Sequence, residues 1–343
     1  MKKINKSFHK FWLSKSKLIS WNIFPTKSLI LKKKNYFTWF EDGKFNITYN
    51  CIERNIKNNG DKTALIFISK CGDIKKISYI ELRNAVDNFC FFLKKKNIDK
   101  IKNVLIHSSA SLESAVAMLA FAKLGIFFSV IFEELEFKAI KLRYEILKPD
   151  LVVTKSDELT IKKKLYFSKK YKSKILKFNG TRKHKDIIYY KLDYKFNKNY
   201  PYINFNGNKK MFCLFTSGST GIPKGVVHSA AGYFLYSMIT CKYKFGINSN
   251  TTIIAASDAG WINGHTYSLF GPLGLGASSI ILETPTLILS KKILDIIIYD
   301  LAATIIYLPV TVIRIMKSLS PNIQYVKNSL NCIGSMGEPL APT

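Results

Sequence analysis

Thr216-Ser217-Gly218-Ser219-Thr220-Gly221-Ile222-Pro223-Lys224-Gly225 packs three glycines, four hydroxyls and one lysine into ten residues. Glycine lets the backbone approach a ligand closely and adopt positive φ. Successive N–H groups then form a concavity for an anion, and hydroxyls and an ammonium add donors. The stretch reads as a phosphate-holding loop. It is not a Walker A loop, because Lys224 is followed by Gly225 and not by Ser or Thr. Clusters of Gly, Ser and Thr are more often flexible linkers. Here the apolar run Phe212-Cys213-Leu214-Phe215 leads in as a strand, and Val226-Val227-His228 resumes order at once.

Upstream of this loop, strand and helix signals alternate. Ala64 to Ile68 predicts a strand, and Ser78 with Glu81 is a capping-box pair that opens a helix. That helix places Leu82, Ala85, Val86, Phe89 and Leu93 on one face. Val104 to His107 (strand), Ser111 to Leu124 (helix), Phe127 to Phe132 (strand), Glu136 to Leu147 (helix) and Leu151 to Val153 (strand) follow. Continuous apolar strands between helices predict an α/β fold, with a parallel sheet covered on both faces. From Lys155 to Lys210 the pattern degrades into Lys, Tyr, Asn and Phe, a decorated connection with a strand such as Ile187 to Tyr190. Downstream, Thr252 to Ala256, Ser278 to Leu282 and Thr304 to Leu308 are further strand candidates.

The chain has 343 residues, 47% of them hydrophobic, enough for one large core or two smaller ones. Its 53 Lys plus Arg against 23 Asp plus Glu give a formal +30. Such a balance points first to a polyanion-binding protein. Only Arg54, Arg83, Arg143, Arg182 and Arg314 are arginines, however, and bidentate reading of phosphates and bases favours Arg. The lysines come with abundant Ile, Asn, Tyr and Phe, the mixture that A/T-rich codons give. No specific nucleic-acid partner is expected. The six scattered cysteines form no close metal or redox pair, so no metal site is expected and a reduced, cytoplasmic protein is. The first acidic residue is Glu41, which gives the N-terminus a transit-peptide look. Val116 to Phe132, the longest apolar candidate for a membrane span, contains Lys123 and Gly125 and parses as a helix end followed by a strand.

The ten-residue loop resembles the signature T-S-G-[ST]-T-G-x-P-K-G of the adenylate-forming superfamily, which includes the AMP-forming acyl-CoA synthetases. The resemblance runs almost from end to end and is closest to the acetyl-CoA synthetase branch. Phe11-Trp12, Leu18 to Trp21, Phe37 to Phe40 and Gly43 to Asn46 are similar to that branch's N-terminus, which replaces the transit-peptide reading. Ala256 to His265 contains the Gly-Trp-x-x-Gly-His turn that lines the acyl pocket, and Gly334-Ser335-Met336-Gly337-Glu338-Pro339 resembles the motif beside adenine and acyl group. Two positions depart from the acetate pattern: Ile262-Asn263 stands for Val-Thr, and Met336 for Val. One methylene in an apolar pocket discriminates by only ~1–3 kcal/mol. Glu133-Glu134 replaces a glycine pair, and no CoA-contacting arginine is evident near Lys162, Lys163 and Lys164. The CoA site is left unassigned.

The resemblance implies the large N-terminal domain of an adenylate-forming enzyme, with parallel-rich sheets flanked by helices and incomplete at the C-terminus. Residues 1–60 would be the branch's N-terminal extension and 61–343 a partial adenylation domain, with the small C-terminal domain absent. It implies ATP-dependent activation of acetate to acetyl-AMP and transfer to CoA, with propionate as alternative substrate and Mg2+ accompanying ATP. Thr216, Ser217, Gly218, Ser219, Thr220, Gly221, Lys224 and Gly225 would hold the triphosphate, with Lys224 and Thr216 closest to the chemistry. Trp261, Ile262, Asn263, Gly264 and Met336 would shape the acyl site, and Gly337, Glu338 and Pro339 would border the nucleotide. A chain ending at Thr343 is expected to turn over little by itself, the remainder being either a separate chain or lost to a frameshift. The rival is a non-catalytic remnant whose lysines bind polyanions.

Overall fold

The computed structural model describes residues 5–33, 36–155, 169–180, 184–216, 222–319 and 329–339. Among these, two sheets carry the architecture. The larger has the spatial order Ile187–Tyr190, Lys174–Phe178, Leu151–Thr154, Asn103–His107, Phe127–Ile131, Lys210–Thr216, Lys224–Ser229. Its neighbours pair in parallel except the last two, which form an antiparallel hairpin. The second sheet runs Cys332–Met336, Ile305–Pro309, Thr252–Ala255, Ser278–Leu282, Thr63–Ile68, Ile74–Ser78. It too is parallel but for its final pair. The fold is the expected parallel-rich α/β arrangement, with antiparallel hairpins at one edge of each sheet.

Two helices join the sheets. Tyr79–Lys95 begins at Ser78, whose Oγ accepts from the Glu81 N–H at 3.2 Å while Glu81 Oε2 accepts from the Ser78 N–H at 2.7 Å. This reciprocal cap satisfies two helix-start donors. Its buried face carries the expected Leu82, Ala85, Val86, Phe89 and Leu93. Helix Leu112–Leu124 is different, since every residue from Ser114 to Leu124 is buried. A helix apolar all round has no solvent side to show. It lies in one core cluster with Leu65, Phe67 and Ile281 of the second sheet and Val104, Phe128 and Leu214 of the larger sheet. It ends at Gly125, whose φ of +67° is the left-handed stop that glycine tolerates best.

One charge lies inside this packing. Lys123 Nζ is fully buried against Asp87 of the preceding helix and 3.7 Å from the Tyr202 ring centroid. Burial holds the Asp87 carboxyl above its ordinary range, against the pull of the Lys123 ammonium. Between Lys155 and Lys210 the structure contains the expected strand Ile187–Tyr190, and also Lys174–Phe178 and the short Phe205–Asn206. Among the described residues no helix is long and apolar enough to cross a membrane.

Candidate active site

In parallel sheets, ligands collect beyond the carboxyl ends of the strands. Strand Lys210–Thr216 exits there and returns as Lys224–Ser229, with Thr216 paired to Lys224 and Phe215 to Gly225. The phosphate-loop candidate is therefore the connection of a hairpin, tied at both ends. The Thr216 hydroxyl lies 3.5 Å from the Lys224 carbonyl oxygen, and both residues are exposed. Gly225 has a packing reason to be glycine, because a Cβ there would meet Cys213 Sγ at 2.8 Å. Ser217, Gly218, Ser219, Thr220 and Gly221 lie outside the described residues, as do Lys162, Lys163 and Lys164.

The neighbouring parallel strand brings a second element to the same level. Phe212 pairs with Phe128 and Cys213 with Ser129, so the register carries Phe132 to the height of Thr216. The Phe132 ring packs on Trp261 at 5.4 Å between centroids. Gly260 allows this closeness, because a Cβ there would meet the Phe132 ring at 2.8 Å. Trp261 itself is 57% exposed. It starts a short turn, Ile262–His265, that follows strand Thr252–Ala255.

Strand Cys332–Met336 closes the arrangement. Its last residue, Met336, is buried, and Asn263 Nδ2 lies 3.3 Å from Met336 Sδ. The two motifs read from sequence as bordering the acyl group are thus in contact. Gly337 follows with φ +95°, a turn that favours glycine. Glu338 meets Arg314 of helix Val310–Leu319 at 3.1 Å, an exposed pair, and Pro339 is exposed. Gly264 faces inward: a Cβ would meet the Asp258 carbonyl oxygen at 2.3 Å. It borders a cavity of about 30 Å³ with Ala256, Ser268 and Ser111, large enough for a water. Ile262 faces the opposite way, into an outer groove beside His228.

Two titratable groups support the turn; sequence reasoning gave Asp258 no role and named His265 only as the end of the acyl-pocket turn motif. Asp258 Oδ1 accepts from the Gly260 N–H at 2.8 Å. Burial, with Glu134 and Glu133 nearby, pushes its carboxyl up to about 6 in spite of that bond. His265 is fully buried between Phe212 (4.6 Å) and Phe128 (6.2 Å, nearly parallel), and burial drives its pKa down to about 3. It is a neutral core residue at physiological pH.

These shifts have opposite signs in stability. Between the ordinary carboxylate value of 3.8 and about 6, folded Asp258 binds more protons than the unfolded chain, so its contribution falls as pH rises. His265 binds fewer protons folded than unfolded between about 3 and 6.5, so its contribution is complete above 6.5 and is lost as pH falls. The two slopes oppose each other from about 4 to 6. Asp258→Asn is expected to gain roughly 1–3 kcal/mol over the parent above pH 6 and little at pH 4. His265→Phe is expected to lose less than the parent on acidification. Urea midpoints between pH 4 and 7.5 check both, and parallel profiles for parent and variants would contradict the assignment.

The sequence profile of the AMP-binding enzyme family matches residues 52–343, and one described as acetyl-coenzyme A synthetase N-terminus matches residues 1–51. The chain belongs to the AMP-binding enzyme family. It is 34% identical over 364 aligned positions to an acetyl-coenzyme A synthetase of Helicobacter pylori (strain P12), covering 99% of this chain and 54% of that protein. With the acetyl-coenzyme A synthetase of Cupriavidus pinatubonensis it shares 32% identity over 98% of this chain and 55% of the relative. Among solved structures, acetoacetyl-CoA synthetase from Streptomyces lividans superposes with a TM-score of 0.82 at 15% identity, over 99% of this chain and 56% of that one. That last likeness concerns the fold alone. The chain spans about half the length of the relatives it matches.

Proposed function

We propose that this chain provides the nucleotide- and acyl-binding face of an AMP-forming acetate–CoA ligase. The observation that carries the reading is the contact between Asn263 and Met336, beside Trp261 packed against Phe132 at the exit of the hairpin strand. The reaction has two balanced steps. An acetate carboxylate oxygen bonds to the α-phosphorus of ATP, and the bond to the pyrophosphate oxygen breaks. The CoA thiol sulfur then bonds to the carbonyl carbon of acetyl-AMP, AMP leaves with its oxygen, and the thiol proton is released.

Each chain residue has a task. Lys224 and the loop Thr216–Gly225 bind and orient the triphosphate by charge and hydrogen bonds; Mg2+, carried by ATP, neutralises phosphate charge when bound. Trp261, Asn263 and Met336 limit the acyl space, whereas Ile262 turns to the outer groove and not to the acyl side as its motif implied; Gly264 lets the turn close, and Gly337, Glu338 and Pro339 border the nucleotide. Positioning and electrostatic stabilisation are the main sources of rate in such a site. Residues 1–60 serve as the N-terminal extension and 61–343 as the adenylation part. The six free cysteines support a reducing, cytoplasmic setting.

Calorimetric titration with alkyl esters of AMP, which mimic acyl-adenylates, tests the reading. The ester mimicking acetyl-AMP is expected to bind best, with affinity falling by roughly tenfold or more for each added methylene. Absence of binding to the whole series refutes the function; preference for the longer ester moves the substrate to propionate.

A further inference from the structure

We infer that the amino-terminal rim of the larger sheet, opposite the candidate active site, is a binding surface for double-helical nucleic acid held through its phosphates. The inference goes beyond the ligase reading and does not depend on it.

Strand register builds this rim. Lys174 pairs with Leu151, Leu151 with Val104, Val104 with Phe128, and Phe128 with Phe212. Carried back two residues, the same register sets Lys172, Lys102 and Lys210 at one level, on every second strand. Strands lie about 4.8 Å apart, so the three lysines stand in steps of about 10 Å and span about 20 Å. Two grooves open along the row. One, of about 650 Å³, is lined by Lys100, Lys102, Lys209 and Lys210. The other, of about 420 Å³, is lined by Lys169, Lys172, Lys174 and Lys185. All eight lysines are exposed, and among the described residues none of them forms an ion pair. Asp99 and Asp186 line the grooves, and Asp150 between them accepts from the backbone N–H groups of Lys102 and Asn103 at 2.8 and 3.0 Å. Positive charge is in surplus.

Lysines supplied by codon bias alone would populate both rims alike. The carboxyl rim differs: Lys155 lies between Glu113 (3.8 Å) and Glu283 (4.0 Å), and Glu133 and Glu134 follow strand Phe127–Ile131. Charge is polarised along the strands. Helix dipoles do not account for it, because Lys100, Lys102, Lys209 and Lys210 belong to no helix. Exposed ammonium groups spread over such a row do not enclose a small anion. They match a long ligand with phosphates at regular intervals. Lysine acts on it as a point charge and reads no base. Phe127 is the one aromatic residue lining the two grooves, and it is half-buried, so the stacking platform that single strands use is missing. A duplex, which offers phosphates and keeps its bases inside, fits the surface.

The test is fluorescence anisotropy of a labelled DNA duplex, with the 343-residue chain added over a series of salt concentrations. Log affinity is expected to fall against log salt with a slope of about −3 or steeper, since each neutralised phosphate contributes about −0.9. The triple variant Lys102→Gln, Lys172→Gln, Lys210→Gln is expected to bind roughly tenfold or more weakly and to lose about 2–3 from that slope. A control with the same change of charge elsewhere, Lys10→Gln, Lys17→Gln, Lys27→Gln, is expected to leave the slope as it is. All six positions are exposed, and urea midpoints equal to the parent's show that both triples are folded. Equal losses in the two triples overturn the proposal, because net charge and not the rim would then carry the binding. A slope near zero overturns it too. So does equal competition by polyglutamate at matched charge, which assigns the surface to an acidic polypeptide.

Discussion

Replacing Asp87 by alanine is expected to lower the unfolding free energy by about 3–5 kcal/mol. Lys123 has no route to solvent: it sits near the end of a helix enclosed by both sheets, and its side chain is fully buried. Without Asp87 its ammonium keeps the face of the Tyr202 ring, a contact worth about 2 kcal/mol when desolvated, far less than the charge loses. The intact pair is not itself a large source of stability, because burying both ions costs about as much as their attraction returns. Hence the double variant Asp87→Leu with Lys123→Met is expected to lie within about 2 kcal/mol of the parent, well above Asp87→Ala alone. Denaturant unfolding of the three proteins measures this. A loss below about 1 kcal/mol in Asp87→Ala would show that Lys123 reaches water or another anion.

Lys224→Ala is expected to weaken ATP binding by roughly 10–100-fold, the worth of one charge-assisted contact of about 1.5–3 kcal/mol. Its position motivates the expectation, since it stands exposed opposite Thr216 at the mouth of the hairpin. The diagnostic is the comparison with AMP. A lysine that meets the outer phosphates acts on ATP and leaves AMP affinity nearly unchanged, whereas a distorted hairpin weakens both. Calorimetry with each nucleotide separates these cases, and unchanged ATP affinity would remove Lys224 from the site. Exposure makes a folding defect in this variant a minor concern, since surface substitutions usually stay within about 0.5 kcal/mol.

Much of the frame was legible in the sequence for local reasons. Ser78 and Glu81 announce a helix start within four residues, and the enclosed helix Leu112–Leu124 announces itself by lacking a polar face. Strand Lys174–Phe178 was not legible. Its buried Ile175, Leu176 and Phe178 are interleaved with lysines in a lysine-rich stretch, so neither alternation nor an apolar run stands out. Lys224–Ser229 is hidden for another reason: an edge exposed on both faces carries no burial period. The site divides in the same way. Its loop and turn motifs are contiguous and could be read; the meeting of Asn263 with Met336 spans 73 positions and exists only in the folded chain. Asp258 and His265 carry no sequence sign of their burial.

The helix enclosed on every side also governs how the molecule comes apart. Neither sheet can shed its partner without hydrating Val116, Leu119 and Phe121 from that helix, all fully sequestered. Partial opening between the sheets is therefore disfavoured, and the two halves of the molecule are expected to melt as one cooperative unit, which a calorimetric enthalpy matching the van't Hoff value would show.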